Sequence, residues 1–363
     1  MKILYVTTIG GTMNFFKDYI KQLMDDGQTV DIAANTTTSV VPQHYYDLGC
    51  KVFEISCTRS PLNKGTLTAI KEIKKISEEN EYDIVHCHTP IAAMCTRFAC
   101  RKARKKGTKV YYTAHGFHFY KGAPLKNWLI YYPVEKICAY FTDLLITINK
   151  EDYALAQKKL KAKKVVYVPG VGIDLDKFKP STVSKEEKRR ELGIPKNAKV
   201  LLSVGELNNN KNHETVIRAI KDLDIYYIIA GKGGLETHLQ MVINEFDIAD
   251  RVKLLGFRSD VLELYSASDV YVFPSFREGL SASLMEAMAC GKPCIVSQIR
   301  GNTDLIDENG GILFDPYDVE VCRCAIETML KSDTNSMSSY NTEKIKFFAL
   351  DSVIKQMNEL YGL

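Results

Sequence analysis

The feature of this sequence that most constrains its fold is a repeated alternation of short β-branched runs with longer stretches of helical period. The runs that indicate strands are, in chain order, KILYVTT, TVDIAA, KVFEIS, YDIVHCH, KVYYTAH, DLLITIN, KVVYVP, VLLSVG, IYYIIAG, RVKLLG, VYVFPS, PCIVS and GILF. Strands that alternate with helices form parallel sheets covered by helices on both faces. The alternation therefore predicts an α/β fold.

The alternation is interrupted once, at VPGVGIDLDKF, where a proline and two glycines break the pattern. A length of 363 residues also suits two domains, at roughly 150 residues each. We therefore predict two doubly wound, Rossmann-like domains that face a central cleft, one spanning residues 1–170 and the other 171–344. Helical spacing over about 345–363 predicts a last helix that either closes the second domain or crosses back to the first.

Charge is distributed unevenly between these halves. The whole chain has 48 Lys and Arg against 44 Asp and Glu, a net +4 that is too small to indicate a nucleic-acid partner. The first 170 residues contain 25 basic and 15 acidic residues, whereas the remainder contains 23 and 29. Ten cysteines without regular spacing and the lack of an apolar run of about 18 residues predict a reduced, cytoplasmic protein without a membrane span.

A pair of carboxylates carries the strongest chemical signal. In VYVFPSFREGLSASLMEAMACGKPCIVS a strand ends at Pro274 and a helix begins near Leu280, so Glu278 lies in the loop and Glu286 two turns into the helix. Both carboxylates can then face one ligand, accepting its hydroxyl groups while the helix N-terminus attracts phosphate. The alternative is that Glu278 caps the helix and Glu286 is solvated.

This stretch, Glu-Gly-(x)6-Glu followed by AMACGKPCIV, resembles the signature of the retaining glycosyltransferases of family 4, which have the two-domain GT-B fold. The other motifs in that family's order are Gly10-Gly11, TAHG at 113–116, VPGVGID at 168–174, SVGELNNNK at 203–211, AGKGG at 230–234 and LLGFRSDV at 254–261. GFHFYKGAP is similar to members that build capsular or extracellular polysaccharide on a polyprenyl-diphosphate carrier. The resemblance covers nearly the whole chain.

The resemblance implies a role for each matching residue. Glu286 would hold the nucleotide ribose, Glu278 the hydroxyls of the donor sugar, and Lys211 the diphosphate. The other implied donor-site positions are Gly11, Gly205, Gly231, Phe257, Arg258, Gly279, Leu280 and Ser281. His115 would sit beside the reacting anomeric carbon. Lys211 also fits on physical grounds, because cleavage of a nucleotide-sugar bond builds charge on a diphosphate that a cation stabilises.

One position departs from the family's pattern. Many members carry Arg directly after the glycine of SVG, where this chain has Glu206. A carboxylate there would repel a diphosphate, so we expect Glu206 to point elsewhere. Lys211 would then carry more of the binding to the diphosphate, with Arg258 or Lys232 as additional cations.

Histidines at strand ends are candidates in the first half. His115 ends KVYYTAH, and its alternative is a structural histidine bonded to backbone. His88 is an acceptor-side or structural residue, because the H-x-H pair at 86–88 shows no third and fourth zinc ligands. His118 lies three residues after His115 and could line the same site. The family resemblance implies that neither a metal nor a cofactor is required beyond the nucleotide sugar.

Segment 111–141 holds 10 of the chain's 36 aromatic residues, and the basic run RKARKK lies just upstream. Aromatic rings interleaved with lysines suit a bilayer interface with anionic lipid. We therefore predict peripheral association with the inner face of the cell membrane. The alternative is a core helix with a solvated basic face.

These observations together predict a retaining transferase that moves a hexose or N-acetylhexosamine from a nucleotide sugar, expected to be UDP-linked, to a lipid-linked saccharide in capsular or extracellular polysaccharide synthesis. The alternatives are a sugar-nucleotide epimerase or hydrolase of the same architecture and a non-catalytic carbohydrate-binding protein. A nicotinamide-dependent dehydrogenase is disfavoured, because TTIGGTMNF lacks the GxGxxG fingerprint.

Overall fold

The structure, a computed structural model, describes residues 1–58, 65–178 and 183–363. The chain forms two compact units, Met1–Val171 and Gly172–Leu363. The boundary lies one residue beyond the predicted position.

The first unit is a parallel sheet with helices on its faces. Its strands are β1 (Lys2–Ile9), β2 (Thr29–Asn35), β3 (Val52–Glu54), β4 (Ile84–His88), β5 (Lys109–Ala114), β6 (Leu144–Thr147) and β7 (Lys164–Tyr167). Its helices are a 3-10 helix (Gly10–Phe16), α1 (Lys17–Asp25), α2 (Gln43–Asp47), α3 (Gly65–Asn80), α4 (Pro90–Ala99), α5 (Arg101–Lys105), α6 (Leu125–Ala139) and α7 (Lys150–Lys159). The strand order is β3-β2-β1-β4-β5-β6-β7.

The second unit has the same design. Its strands are β8 (Val200–Val204), β9 (Tyr226–Ala230), β10 (Val252–Leu254), β11 (Val270–Phe273), β12 (Cys294–Ser297) and β13 (Gly311–Phe314). Its helices are a 3-10 helix (Leu175–Phe178), α8 (Lys185–Glu191), α9 (His213–Ala219), α10 (Glu236–Glu245), α11 (Val261–Ala267), α12 (Ala282–Ala289), α13 (Asn302–Leu305), α14 (Val319–Lys331), α15 (Asn335–Lys344), a 3-10 helix (Ile345–Phe348) and α16 (Leu350–Tyr361). The strand order is β10-β9-β8-β11-β12-β13.

These elements form because the apolar runs are buried on both faces of each sheet. All five residues of β4 and all four of β11 and β12 are buried, as expected for strands sandwiched between helices. Several helices begin at polar caps. Asn149 accepts a hydrogen bond from the Asp152 backbone N–H at 2.8 Å at the start of α7, and Asp318 caps α14 in the same way. The prediction of two Rossmann-like domains is confirmed.

The predicted last helix is broken into two pieces, a 3-10 helix (Ile345–Phe348) and α16 (Leu350–Tyr361). Ala349 is extended between the second 3-10 helix of this unit and α16. The cause is a backbone pairing with Ile173, whose N–H donates to Phe348 O at 2.9 Å and whose carbonyl accepts from Leu350 N at 2.8 Å. Gly172, with φ of +82°, permits this approach, because a Cβ there would lie 2.7 Å from Leu350 Cα. That α16 crosses to the first domain stays a prediction.

Two helical segments of the first unit are also interrupted. Helix α4 ends at Ala99 and the chain continues as α5 from Arg101, and α1 is preceded by the 3-10 helix Gly10–Phe16. Within the described residues, none of the helices combines the length and apolar character that a bilayer crossing requires.

Candidate active site

The loops that follow β8 and β11 meet where the strand order of the second sheet reverses. Such a reversal point is the usual ligand site of an open parallel sheet. The two loops are tied by backbone and side-chain bonds: Phe276 N donates to Asn210 O at 2.8 Å, and Asn210 Nδ2 donates to Arg277 O at 2.9 Å. The loops therefore hold their side chains in fixed positions relative to one another.

Lys211 and Glu278, predicted separately, form an ion pair across these loops. Lys211 Nζ lies 2.9 Å from Glu278 Oε1, and the two side chains are only 19% and 14% exposed. The ammonium also sits 4.5 Å from the centre of the Phe273 ring, and its methylene groups pack on Gly205. This lysine is thus a cation held in place at the carboxyl edge of the second sheet. Its partner is a carboxylate that can accept hydrogen bonds from hydroxyl groups.

The start of α12 lies directly after this pair. Ser281, not Glu278, caps the helix, because its hydroxyl accepts a hydrogen bond from Leu284 N at 3.4 Å. Gly279 and Leu280 lie between the ion pair and the cap. The backbone of Gly301 packs closely against theirs, because a Cβ on Gly301 would lie 2.3 Å from Gly279 O. Gly301 is a site residue that the sequence reasoning missed, although a glycine directly after PCIVSQIR was a visible signal.

Glu286 is partly buried on α12. The Tyr265 hydroxyl lies 3.1 Å from Glu286 Oε2 and 2.9 Å from Ser283 O. Burial raises the pKa of Glu286, and the Tyr265 hydrogen bond opposes that rise. The Tyr265 hydroxyl contacts Oε2, so Oε1 can accept hydrogen bonds from the hydroxyl groups of a ligand. The alternative of a solvated Glu286 is wrong, and Tyr265, which holds it, was not foreseen.

Three glycines bring the ends of β8, β9 and β10 together. A Cβ on Gly231 would lie 1.8 Å from Gly205 O, and Gly231 N donates to Gly256 O at 2.8 Å. Gly256 has φ of +65°, a conformation that favours glycine. These contacts give Gly231 and Gly205 a structural role, and their contact with a nucleotide stays a prediction.

The loop after Gly256 presents two different side chains. Phe257 is 74% exposed, which suits stacking against a base. Arg258, in contrast, is bound to Asp260 at 2.7 Å and to Glu191 at 3.0 Å. Because the Arg258 guanidinium is already paired with these two carboxylates, the predicted contact of Arg258 with the diphosphate is disfavoured. Glu206 and Lys232 are both exposed.

The first sheet also reverses its order, between β1 and β4, and its carboxyl edge carries histidines. His88 Nδ1 lies 3.2 Å from His115 Nε2, so the structure brings these two predicted residues together. Thr8 and Thr89 join the ends of β1 and β4 through their hydroxyls at 2.6 Å, and Thr89 has a strained φ of +65°. His118 instead packs on the Tyr131 ring of α6, 4.5 Å between centres.

Burial keeps these histidines neutral. It lowers the pKa of His115 to about 4 and that of His86 to about 3, and it holds the pKa of His88 well below its usual range, with neighbouring histidines adding to the effect at His86 and His88. Each neutral ring carries one N–H. His88 Nε2 is buried without a partner among the described residues. An orphan N–H costs more than an orphan lone pair, so His88 donates from Nδ1 and His115 carries its proton on Nδ1.

Gly11 lies at the end of β1, and its position is set by a close approach. A Cβ on Gly11 would lie 2.5 Å from Ser39 Oγ, and one on Gly10 would lie 2.4 Å from Ser39 O. The predicted contact of Gly11 with phosphate stays a prediction. Over the described ranges, no group of three or more His, Cys, Asp or Glu side chains is arranged to hold a metal ion.

The comparisons with known proteins decide the family. Residues 184–346 match the family described as "Glycosyl transferases group 1", and residues 2–149 match "Glycosyl transferase 4-like". The chain is 38% identical over 322 residues to the putative glycosyltransferase EpsD of Bacillus subtilis (strain 168), covering 86% of this chain and 83% of that protein. The chain belongs to this glycosyltransferase family.

A second curated protein and a solved structure are also similar to this glycosyltransferase. It is 32% identical over 271 residues to an Escherichia coli protein named UDP-Gal:alpha-D-GlcNAc-diphosphoundecaprenol alpha-1,3-galactosyltransferase, covering 70% of this chain and 69% of that protein. The crystal structure of Anabaena Alr3699/HepE in complex with UDP has a TM-score of 0.83 at 21% identity and matches both chains over 100% of their length. The family and fold resemblance stated from the sequence motifs, including the GT-B fold, is confirmed.

Proposed function

We propose that this glycosyltransferase moves a hexose or N-acetylhexosamine from a UDP-sugar to a polyprenyl-diphosphate-linked saccharide, with retention at the anomeric carbon and without a metal ion. Its work is in capsular or extracellular polysaccharide synthesis, at the cytoplasmic face of the membrane. The E. coli relative is named for a UDP-sugar donor and a diphosphoundecaprenol acceptor, and the Anabaena structure holds UDP, which supports both substrate classes.

The observation that carries the proposal is the Lys211–Glu278 pair beside the start of α12. A nucleotide sugar offers a matching group to each partner. Its diphosphate replaces the carboxylate as the counter-charge of Lys211, while its sugar hydroxyls donate to Glu278. The backbone N–H groups of Gly279, Leu280 and Ser281 add donors at the positive end of the helix.

Glu286 and Phe257 complete the nucleotide site in this proposal. Since Tyr265 engages Oε2 of Glu286, Oε1 accepts the ribose hydroxyls. The exposed Phe257 ring offers an apolar face to the base. Gly205 keeps the approach to Lys211 open, because any larger residue there would push on the lysine methylene groups at 3.3 Å.

The reaction breaks the bond between the anomeric carbon and the diphosphate oxygen, and the electron pair leaves on the phosphate. The acceptor hydroxyl oxygen bonds to the anomeric carbon on the same face, and its proton passes to the departing phosphate oxygen. Lys211 stabilises the charge that develops on that phosphate. His115 donates its Nδ1–H to a hydroxyl of the transferred sugar. Its lowered pKa, caused by burial, makes it a neutral donor rather than a nucleophile or a cation at neutral pH.

A thermal-shift panel of UDP-, GDP- and ADP-sugars, followed by a transfer assay in the presence of a metal chelator, tests the proposal. We expect a UDP-sugar to stabilise the protein most, and the proton NMR coupling of the new glycoside to match the donor's anomeric configuration. An inverted product or a chelator-sensitive rate would contradict the mechanism. An epimerised or hydrolysed UDP-sugar formed without acceptor as the main product would replace transfer by the alternative activity.

A further inference from the structure

Helix α6 carries a row of exposed apolar side chains along one face. The row consists of Leu125, Leu129, Pro133, Ile137 and, at the C-terminal cap, Tyr140, spaced by four, four, four and three positions. Four of these side chains are 73%, 69%, 53% and 53% exposed, in the order Leu125, Leu129, Ile137 and Tyr140. Residues at this spacing lie above one another on a helix and form a continuous stripe. We call this row the docking face.

The docking face cannot turn inward, because the opposite face of α6 is anchored. Glu135 is buried and forms two hydrogen bonds of 2.8 Å with the guanidinium of Arg97 on α4. Cys138 and Ala139 are buried beside it, and Trp128 packs against the core of the first unit. Rotating the helix would bury apolar stripe residues only by exposing a paired charge and a tryptophan.

Positive charge borders the docking face. Lys126 and Lys136 are exposed on α6 itself, and exposed Arg101, Lys102 and Lys105 lie on α5. The end of α5 is fixed beside the end of α6, since Arg104 donates to Tyr140 O at 3.3 Å and binds both oxygens of Asp143 at 2.8 Å. The Arg101 guanidinium lies 5.4 Å from the Phe141 ring. Between residues 101 and 142 the sequence has a single acidic residue, the buried Glu135.

We propose that the docking face seats this protein on an anionic lipid bilayer, with the apolar row at the level of the acyl-chain boundary and the flanking lysines and α5 among the headgroups. A wide apolar stripe beside cations, with no exposed acidic residue from position 101 to position 142, is complementary to such a surface. The proposal rests on the proposed function in one respect: the lipid-linked acceptor is the reason why the protein would need to reach a bilayer. A protein partner would satisfy the apolar row but would not require anionic lipid.

Co-sedimentation of the full chain with protein-free vesicles tests the proposal. The vesicles contain phosphatidylcholine alone or with about one-third phosphatidylglycerol. We expect binding to the mixed vesicles that weakens in high salt. Leu129→Gln should weaken binding at least fivefold, whereas Leu67→Gln on α3, a leucine that is also 69% exposed in the same unit, should not. Lys126→Glu with Lys136→Glu should remove the preference for phosphatidylglycerol, unlike Lys71→Glu with Lys75→Glu on α3.

The outcomes separate this proposal from the proposed function. Failure of the wild-type protein to bind either vesicle, or equal losses for Leu129→Gln and Leu67→Gln, would overturn the docking face and leave a protein partner as its occupant. Supporting results are lost transfer by Leu129→Gln to a lipid-linked acceptor in vesicles, and unchanged transfer to a water-soluble saccharide-diphosphate. A wild-type protein that binds mixed vesicles through this face but transfers sugar to neither acceptor would overturn only the proposed function.

Discussion

The carboxyl edges of the two sheets share a topology and differ in chemistry. Each edge lies where the strand order reverses, between β1 and β4 in the first unit and between β8 and β11 in the second. The first edge buries three histidines that are neutral. The second carries the partly exposed ion pair of Lys211 and Glu278 next to the start of a helix. The fold therefore supplies the position of each site, while the side chains at the edge supply its chemistry.

This difference follows from burial. Burial at the first edge would strip water from a charged imidazole ring, so the histidines stay neutral. At the second edge, Lys211 and Glu278 keep a counter-charge and partial access to water. An anionic diphosphate therefore suits the second edge, and neutral hydroxyl groups suit the first.

The largest effect expected from this comparison is on catalysis. Lys211→Met should lower kcat about 10³-fold, because a fixed cation stabilises the charge on the leaving diphosphate. His115→Ala should cost only about tenfold, the order of one neutral hydrogen bond. Lys221→Met, an exposed lysine of the second unit, serves as the control with near wild-type kcat. Steady-state kinetics with circular dichroism would check this, and a larger loss at His115 than at Lys211 would break the contrast.

A smaller effect is expected on stability from the glycines that bring the second edge together. Gly231→Ala should lower the free energy of unfolding by about 3 kcal/mol, because the new Cβ would lie 1.8 Å from the Gly205 carbonyl and the backbone must shift. In Gly234→Ala, three residues along, the new Cβ would meet no atom of the described residues within 4 Å, so this variant is the matched control. Denaturant unfolding of both variants would measure the difference. Equal stabilities would show that the second edge can relax without cost.

The smallest effect concerns pH. The folded-state pKa values of His86 and His115 are lowered by burial to about 3 and about 4, so below pH 6.5 the unfolded chain takes up protons that the folded chain does not. Stability is therefore lost as pH falls through the unfolded pKa, by less than about 1 kcal/mol per histidine between pH 7 and pH 6. The first edge has three such histidines, whereas the second has His213.

Hydrogen exchange corrected for intrinsic rates would check this pH effect. Protection in β4 and β5 should fall more between pH 7 and pH 6 than protection in β8 and β11. Equal changes in both sheets would mean that the histidines of the first edge titrate normally in the folded protein.

Much of the fold could be predicted from the sequence. Strands buried on both faces of a parallel sheet are continuous apolar runs, and these are easily distinguished from segments in which apolar residues recur with the period of a helix. The thirteen predicted strands all exist, and the motif resemblance pointed to the family. Helix interruptions could not be predicted, since the break at Ala349 depends on Ile173, which is distant in sequence. The ion pair between Arg258 and Glu191 could not be predicted for the same reason.

The sequence by itself determined the periodicities, the glycine turns and the residue types at strand ends, since these are local properties of a few consecutive residues. It indicated that Lys211, Glu278 and Glu286 belong to one site. Only the tertiary structure decided that Lys211 pairs with Glu278, that the Tyr265 hydroxyl contacts one oxygen of Glu286, and that His88 Nδ1 lies within hydrogen-bond distance of His115 Nε2. Each of these contacts joins separate elements, so it exists only once a sheet has brought their ends together.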